Sequence, residues 1–244
     1  MNIIVSTGFG HPRYEAMVSR LKAAVKGAGG DIFVLDAEVA AAMHAKAKYS
    51  FKPQAIELAL DKYGWRNVER ILWLDSSVVP DMSRMREIWE AIDDRGVLLF
   101  EDKGWTIGQW ASDQCLAAMD VPRESVMKLP MGWAGAVGLR GRNPNVEMAS
   151  KFYLAWLHYA KDGKAFDGPH TNTAAIPYLK SNLLPCDEPR SGFCSDDIRV
   201  YGHRHDQTVA SILMWQFRIP LASWDTLFHY GGTNPVVLAA NGEL

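Results

Sequence analysis

The chain has 244 residues, of which 26 are Lys or Arg and 28 are Asp or Glu, so its formal charge is −2. Hydrophobic residues make up 48% of the chain and charged residues 22%. This composition is typical of a globular protein and excludes a disordered chain, a collagen-like repeat and a disulfide-rich scaffold. The charge balance excludes binding of nucleic acid by overall charge, although it leaves room for a local basic patch. The nine tryptophans are the unusual feature of this composition.

Strands and helices are predicted to alternate through the first hundred residues. Short apolar runs predict strands at Asn2–Ser6 and at residues 32–35, 71–74 and 97–100. Helical spacing of apolar residues, with proline, glycine and aspartate signals at the ends, predicts helices at 12–27, 37–48, 53–63 and after Asp81. This alternation predicts a mostly parallel sheet with helices on both faces, and ligands bind such sheets at the carboxyl ends of their strands.

The second half of the sequence is less regular. Residues 131–139 are apolar and rich in glycine, and a helix is predicted over about 146–161. A loop-rich stretch with four prolines follows at 167–199, and another helix opens at His205. No linker, internal repeat or low-complexity tract interrupts the sequence, so we predict one domain over residues 1–244.

The N-terminus has no basic segment or cleavage pattern of a signal peptide, and no apolar run is long enough to span a membrane. The three cysteines have no metal-binding spacing. Cys186 and Cys194 are close enough in sequence to pair, but reduced thiols are the favoured interpretation. We therefore expect a soluble, cytoplasmic protein.

Two short segments have side chains suited to phosphate chemistry. Asp75 follows a buried strand and offers a carboxylate to a divalent cation that bridges two phosphates, although it is equally suited to capping the turn through Ser77. His229 precedes Tyr230-Gly231-Gly232, where the glycines let the backbone approach a phosphate closely. The alternative is that His229 has no role in phosphate binding and is an ordinary surface or core histidine.

A third segment places Asp206 and Gln207 at the start of a predicted helix, where Asp206 is also a natural N-cap. A second pair, Asp113-Gln114, lies in a tryptophan-rich stretch and is open to the same alternative. The glycines after the first strand lack the third glycine of a dinucleotide fingerprint, and the sequence contains no P-loop.

Taken in order, the segments ILWLDSS, MGWAGAVGL, HRHDQ and HYGG resemble those of the GT-A nucleotide-sugar glycosyltransferases. The likeness is to the retaining group that includes glycogenin and the bacterial lipopolysaccharide galactosyltransferases. It implies a single Rossmann-like GT-A domain with a nucleotide-binding half at 1–102 and an acceptor-binding half at 103–244. It also implies a nucleotide-diphosphate sugar as donor, most naturally a UDP-sugar, and Mn²⁺ or Mg²⁺ as cofactor.

The resemblance assigns roles to individual residues. Asp75 matches the first residue of the family's Asp-x-Asp sequence, but Ser77 stands where the second Asp is expected, so Glu101 or Asp102 is a candidate replacement. Gly135 matches the glycine of an Asn-x-Gly segment. The residues implied in donor binding are Thr7, Lys52, Asp75, Ser77, Gly135, Gly231 and Gly232. The implied metal ligands are Asp75 and His229, and the implied catalytic residues are Asp206 and Gln207.

The family's phosphate-binding lysine after the last segment is absent, and Thr233 and Asn234 occupy that stretch. Lys52 or Arg204 is the candidate replacement for this cation. Asp206 or Gln207 would stabilise the positive charge that develops on the sugar, whereas in an inverting enzyme Asp206 would be the base. The sequence does not choose between these two mechanisms.

The tryptophans divide into two predicted sets. Those in periodic elements are predicted to lie in the core: Trp73, Trp89, Trp156 and Trp215. Those beside polar or glycine-rich loops are candidates for stacking on a sugar or a base: Trp105, Trp110 and Trp133.

The acceptor is predicted to be a glycan or a hydroxylated base in DNA, with residues 140–142 and 46–48 as candidate phosphate contacts in the second case. A degenerate, non-catalytic nucleotide-sugar-binding domain is the main alternative, because of Ser77. A nucleotidyltransferase is disfavoured, since no glycine-rich loop bearing Lys or Arg follows the first strand.

Overall fold

The computed structural model describes residues 1–141, 147–223, 227–230 and 237–240. The strands are β1 (Asn2–Ser6), β2 (Asp31–Val34), β3 (Arg70–Leu74), β4 (Val78–Pro80), β5 (Val97–Thr106), β6 (Pro130–Arg140), β7 (Thr171–Asn172), β8 (Ser191–Gly192), β9 (Phe228–Tyr230) and β10 (Leu238–Ala240). The helices are α1 (Pro12–Gly27), α2 (Ala37–Lys46), α3 (Phe51–Tyr63), α4 (Met85–Arg95), α5 (Asp113–Ala118), α6 (Arg123–Val126), α7 (Glu147–Asp162), α8 (Ile176–Ser181) and α9 (His205–Gln216).

The central sheet has the strand order β2-β1-β3-β6-β5. Strands β1, β2 and β3 are parallel to one another, whereas β6 is antiparallel to both of its neighbours, β3 and β5. The fold is therefore mixed α/β with a mostly parallel sheet, as predicted. The boundary predicted at residue 102 falls inside β5, and β6 lies between β3 and β5, so the two predicted halves share one sheet.

Both faces of this sheet are covered, because successive side chains of a buried strand point to opposite sides. On one face, Ile71 and Trp73 of β3 pack into a core that is shared with α3, α7 and α9. On the other face, Leu72 and Leu74 pack with apolar residues of α1 and α4. The alternation of the strand thus places helices on both sides, as the sequence predicts.

Helix α3 differs from its prediction in a way that matters for the site. The predicted start was Pro53, but the helix begins two residues earlier, at Phe51. Proline is tolerated in the first helical turn because the N–H that it lacks would have no partner within the helix. The earlier start brings Lys52 into the first turn of α3, where its side chain is only 5% exposed.

A second sheet, of order β4-β10-β9, continues from the end of β3. Strand β10 pairs antiparallel with β4 and parallel with β9, so that Ala239 lies opposite both Val79 and His229. This sheet brings the C-terminal segment back to the residues that follow Asp75. Gly231 and Gly232, together with Thr233 and Asn234, lie outside the described residues.

The three cysteines are free thiols, with Cys115 and Cys194 buried, so the pairing of Cys186 with Cys194 is not formed. Across the described ranges, none of the helices combines the length and the apolar character needed to cross a membrane.

Candidate active site

The buried ammonium of Lys52 joins the two carboxylates that the sequence singles out. Its Nζ lies 2.9 Å from Asp75 Oδ1 and 2.9 Å from Asp206 Oδ2. It also donates a hydrogen bond of 3.0 Å to the carbonyl oxygen of Ala134. A lysine ammonium has three N–H donors, and three oxygens lie within 3.0 Å of this one. Residues far apart in sequence therefore converge on one cation.

The sheet explains this convergence. Asp75 follows the carboxyl end of β3, and its amide donates to the carbonyl of Gly135 in the neighbouring strand β6, at 2.8 Å. The indole Nε1 of Trp73 donates to Asp75 Oδ1 at 2.8 Å, which fixes the carboxylate from the strand side. Gly135 is packed tightly, because a Cβ at this position would meet the Trp133 ring at 2.1 Å.

Burial and charge shift the pKa values of this group in a consistent way. Burial alone would lower the pKa of Lys52, but Asp206 and Asp75 outweigh it and the pKa is raised, so the lysine stays charged. Burial raises the pKa of Asp206 to about 6, against the opposing attraction of Lys52. Asp206 is therefore ionised at neutral pH and within reach of protonation in mild acid.

We expect Asp206 to take up a proton with a midpoint near pH 6 in the folded protein. Its folded pKa lies above the ordinary value of an aspartate, so this group stabilises the fold progressively as the pH falls through 6 towards 4. Carbon-13 NMR of labelled aspartate carboxyls, with the resonance assigned by its loss in Asp206→Asn, measures the midpoint. A midpoint near 4 would contradict the buried environment described above.

A first cleft, of about 540 Å³, opens at the carboxyl ends of β1 and β3. Lys52, Asp75 and Ser77 lie in its wall, together with the buried Thr7, whose hydroxyl donates to the carbonyl of Leu35. The remaining wall is largely aromatic. It is formed by Phe9, Tyr14, His44, Tyr49, Phe51 and Trp73, with Arg190 beside them. These rings make the cleft suited to a flat aromatic group such as a nucleobase.

Sequence reasoning missed most of this aromatic wall and also missed Arg190. Tyr49 has a φ of 60°, and its amide donates to His44 Nδ1 at 3.1 Å, which requires the histidine to be neutral at that nitrogen. Burial lowers the pKa of His44, in agreement with this hydrogen bond. The one available signal was the aromatic run Tyr49-Ser50-Phe51 directly before Lys52.

A second cleft, of about 390 Å³, lies beside the first turn of α9. Its wall includes Asp102, Trp105, Arg204 and Gln207. Gln207 Nε2 donates to Asp102 Oδ2 at 2.7 Å, and burial raises the pKa of Asp102. The adjacent residues Asp206 and Gln207 thus serve different places, since Asp206 pairs with Lys52 and Gln207 faces the second cleft.

The three tryptophans proposed for stacking differ in accessibility. Trp105 is half-buried and lines the second cleft. Trp110 has no exposed surface, and the guanidinium of Arg204 lies 3.8 Å from its ring centroid. Trp133 is 6% exposed and stacks on Phe228 with a centroid separation of 4.3 Å. Trp105 is therefore the one of the three with appreciable exposed surface for a ligand.

The predicted core set is correct for Trp73 and Trp156, which are buried. Trp89 is half-buried, and the prediction was wrong for Trp215, which is 38% exposed. Trp215 is the residue before the last one of α9, where the helix ends at Gln216.

Alanine replacements separate the two roles of tryptophan at the second cleft. Trp110→Ala is expected to lower the free energy of unfolding by about 3–5 kcal/mol, because it empties a fully buried site. Trp105→Ala removes a half-buried ring and is expected to cost less than half as much. Urea denaturation measures both values, and equal losses would contradict the assignment of Trp110 to packing.

The metal ligands that the resemblance implies, Asp75 and His229, lie directly after β3 and in β9, and a metal ion shared by the two stays a prediction. No group of three or more His, Cys, Asp or Glu side chains suited to a metal ion occurs within the described ranges. His229 lies in β9, two strands from β4 in the second sheet. Asp102, a candidate replacement for the missing carboxylate, lines the second cleft and binds Gln207 instead.

Among the candidate phosphate contacts for DNA, Arg140 lies at the far end of the sheet from Asp75. In the sheet, Arg140 of β6 lies opposite Arg70, the first residue of β3, whereas Asp75 follows the last residue of that strand. The Arg140 guanidinium forms an ion pair with Asp93 at 3.2 Å. Lys46 and Lys48 are exposed near the end of α2, and Arg142 lies outside the described residues. A DNA acceptor stays a prediction.

No family model matches the chain, and no curated protein matches it. Among solved structures, the chain is similar to a glycosyltransferase involved in the glycosylation of the major capsid of PBCV-1, at 14% identity and a TM-score of 0.36. That match covers 63% of this chain and 66% of the other, just under two thirds of its length.

The chain is also similar to mouse xyloside xylosyltransferase 1 in its apo form, at 12% identity and a TM-score of 0.46. This match covers 99% of this chain and 98% of the other. Similarity at this level does not carry over an activity or a substrate.

Proposed function

We propose that the chain is a glycosyltransferase, which moves a sugar from a nucleotide-diphosphate sugar to an acceptor hydroxyl. The observation that carries this proposal is the cluster of Lys52, Asp75 and Asp206. Lys52 and Asp75 line the first cleft, and Asp206 is followed directly by Gln207 in the wall of the second. A site for two substrates, with buried charge between them, is what transfer of a group requires.

Each cleft has the chemistry of one substrate. The aromatic wall of the first cleft suits a nucleobase, and Lys52 supplies positive charge for the diphosphate. We propose a UDP-sugar as the donor, following the sequence resemblance. The second cleft offers Trp105 as an apolar surface and Asp102 and Gln207 as hydrogen-bonding groups, which suits an acceptor glycan.

In the proposed reaction, the bond between the anomeric carbon and the diphosphate oxygen breaks, and its electron pair leaves with the nucleotide diphosphate. The acceptor oxygen forms the new bond to the anomeric carbon, and its proton passes to the departing phosphate. The sugar carries positive charge in this oxocarbenium-like transition state. The Asp206 carboxylate, held in place by Lys52, stabilises that charge electrostatically.

We propose retention of the anomeric configuration, as in the group that the sequence resembles. The Asp206 side chain is 6% exposed and already paired with an ammonium. A carboxylate in this state acts better as a fixed charge than as the base that an inverting enzyme needs, because the base must contact the acceptor hydroxyl directly.

A non-catalytic nucleotide-sugar-binding domain is the second candidate, favoured by Ser77 at the position of a family carboxylate. It predicts donor binding without turnover. The two candidates differ in one measurement, which is release of free nucleotide diphosphate from bound donor.

The test is incubation with a panel of nucleotide sugars, with and without Mn²⁺, followed by assay of released nucleotide and by thermal unfolding. Release that is lost in Asp206→Asn supports the glycosyltransferase. A thermal shift with a donor, but no release with any acceptor mixture, supports the binding domain. The absence of both release and thermal shift for every donor would overturn both candidates.

A further inference from the structure

The resemblance implies a divalent cation held by two carboxylates and a histidine, but the residues of this chain do not fit that arrangement. Ser77 offers a neutral hydroxyl in place of the second carboxylate. Asp75 Oδ1 already accepts from Trp73 Nε1 at 2.8 Å and lies 2.9 Å from Lys52 Nζ. A divalent ion at Asp75 would stand beside a buried ammonium, and the two positive charges would repel each other.

We propose that the first cleft binds the diphosphate of a nucleotide donor without a divalent cation, through the side chains of Lys52 and Arg190. This inference rests on the proposed function. It reassigns the positive charge at the site from a metal ion to two side chains, one from α3 and one from the loop-rich stretch at 167–199.

Lys52 is able to exchange one of its partners for a phosphate oxygen. Its pairing with Asp206 is buried, since the Asp206 side chain is 6% exposed. The Asp75 side chain is 34% exposed, so water can solvate this carboxylate when the lysine turns away from it. The exchange of Asp75 for a phosphate therefore costs less than the loss of Asp206, which would leave a buried charge without a partner.

Arg190 reaches the rim of the same cleft from a short turn before β8. Its Nε donates to Asp187 Oδ2 at 2.7 Å, and its guanidinium also interacts with Tyr49 of the aromatic wall. These contacts hold the arginine in place before a ligand arrives. A guanidinium presents five N–H donors in a planar fork, a geometry that matches phosphate oxygens.

The wall of the cleft offers two cations to an anionic ligand. The charged residues of the described wall are Lys52, Arg190 and Asp75, two cations and one anion. Asp206 and Asp187 pair with the two cations but do not line the cleft. Counted with these two partners, the group holds two positive and three negative charges, so a diphosphate gains its counter-charge by replacing Asp75 at Lys52 and by binding the Arg190 guanidinium.

The test is isothermal titration calorimetry of the full chain with UDP, once in excess EDTA and once in excess MnCl₂. We expect the two Kd values to agree within about threefold, since the resident side chains supply the counter-charge. Arg190→Gln is expected to weaken binding in EDTA by about tenfold or more, the loss typical of a charge-assisted hydrogen bond.

Arg199→Gln is the matched control, because Arg199 is an arginine of the same stretch that pairs with Asp197 and Glu124 outside the cleft. It is expected to bind UDP as the unmodified chain does. Thermal unfolding is the check on folding, and both variants are expected to be folded because the two side chains are about half exposed.

UDP binding that requires Mn²⁺ would overturn this inference and leave the proposed glycosyltransferase intact. Equal Kd values for Arg190→Gln and the unmodified chain in EDTA would overturn it as well. Failure of UDP, ADP, GDP and CDP to bind under both conditions would overturn the inference and the proposed function together. These outcomes separate a failure of the metal-free site from a failure of the function.

Discussion

Replacing Lys52 with methionine is expected to lower the free energy of unfolding by about 3–5 kcal/mol, the usual cost of removing one partner from a buried ion pair. The variant leaves Asp206 without a counter-charge inside the protein, and Asp75 loses the same partner. The carbonyl of Ala134 also loses its donor. Guanidinium denaturation at pH 7.5 measures the loss.

The matched control is Lys62→Met, which changes the same residue type on the exposed side of the same helix. It is expected to alter stability by less than about 0.5 kcal/mol. The defect of Lys52→Met should shrink as the pH falls, because protonation removes the unpaired charge of Asp206. Equal stability of the two variants at pH 7.5 would show that the Lys52 cluster does not hold the fold together.

Asp206→Asn is expected to lower turnover by about 10²–10³-fold, the loss seen when one electrostatic contact to a transition state is removed. The amide keeps the shape of the side chain but cannot offset positive charge on the sugar. Donor affinity is expected to change by less than about threefold, since Asp206 does not line the first cleft. Steady-state kinetics and calorimetry with the donor provide the two values.

The second Asp-Gln pair supplies the control for this prediction. Asp113 also begins a helix and precedes a glutamine, but its side chain is 54% exposed and pairs with Arg123. Asp113→Asn should therefore leave turnover unchanged. Equal turnover in Asp206→Asn and Asp113→Asn would remove Asp206 from the catalytic machinery.

Local patterns were sufficient for most of the secondary structure. The predicted bounds of α1 agree with the structure at both ends, because proline and glycine mark them in the sequence. Asp81 was predicted to cap a helix, and its side chain accepts from the Ser83 amide at a 3₁₀ turn that leads into α4. These signals are local in origin, so they can be read without knowledge of the neighbouring elements.

Strand β6 shows where local patterns stop being sufficient. Its glycine-rich sequence was recognised as apolar, but its antiparallel direction between β3 and β5 depends on pairing with strands about 60 and 30 residues earlier in the chain. The same pairing places Ala134 and Gly135 beside Asp75 and Lys52.

The sequence by itself determined the alternation of strands and helices, the position of Asp75 after a buried strand and the position of Asp206 at a helix start. Hydrophobic periodicity and helix capping depend on residues only a few positions apart, which is why these features can be predicted from the sequence alone. The tertiary structure decided that Lys52 joins the two carboxylates and that Arg190 shares their cleft. It also decided which tryptophans are buried, because burial and ion pairing depend on residues far away along the chain.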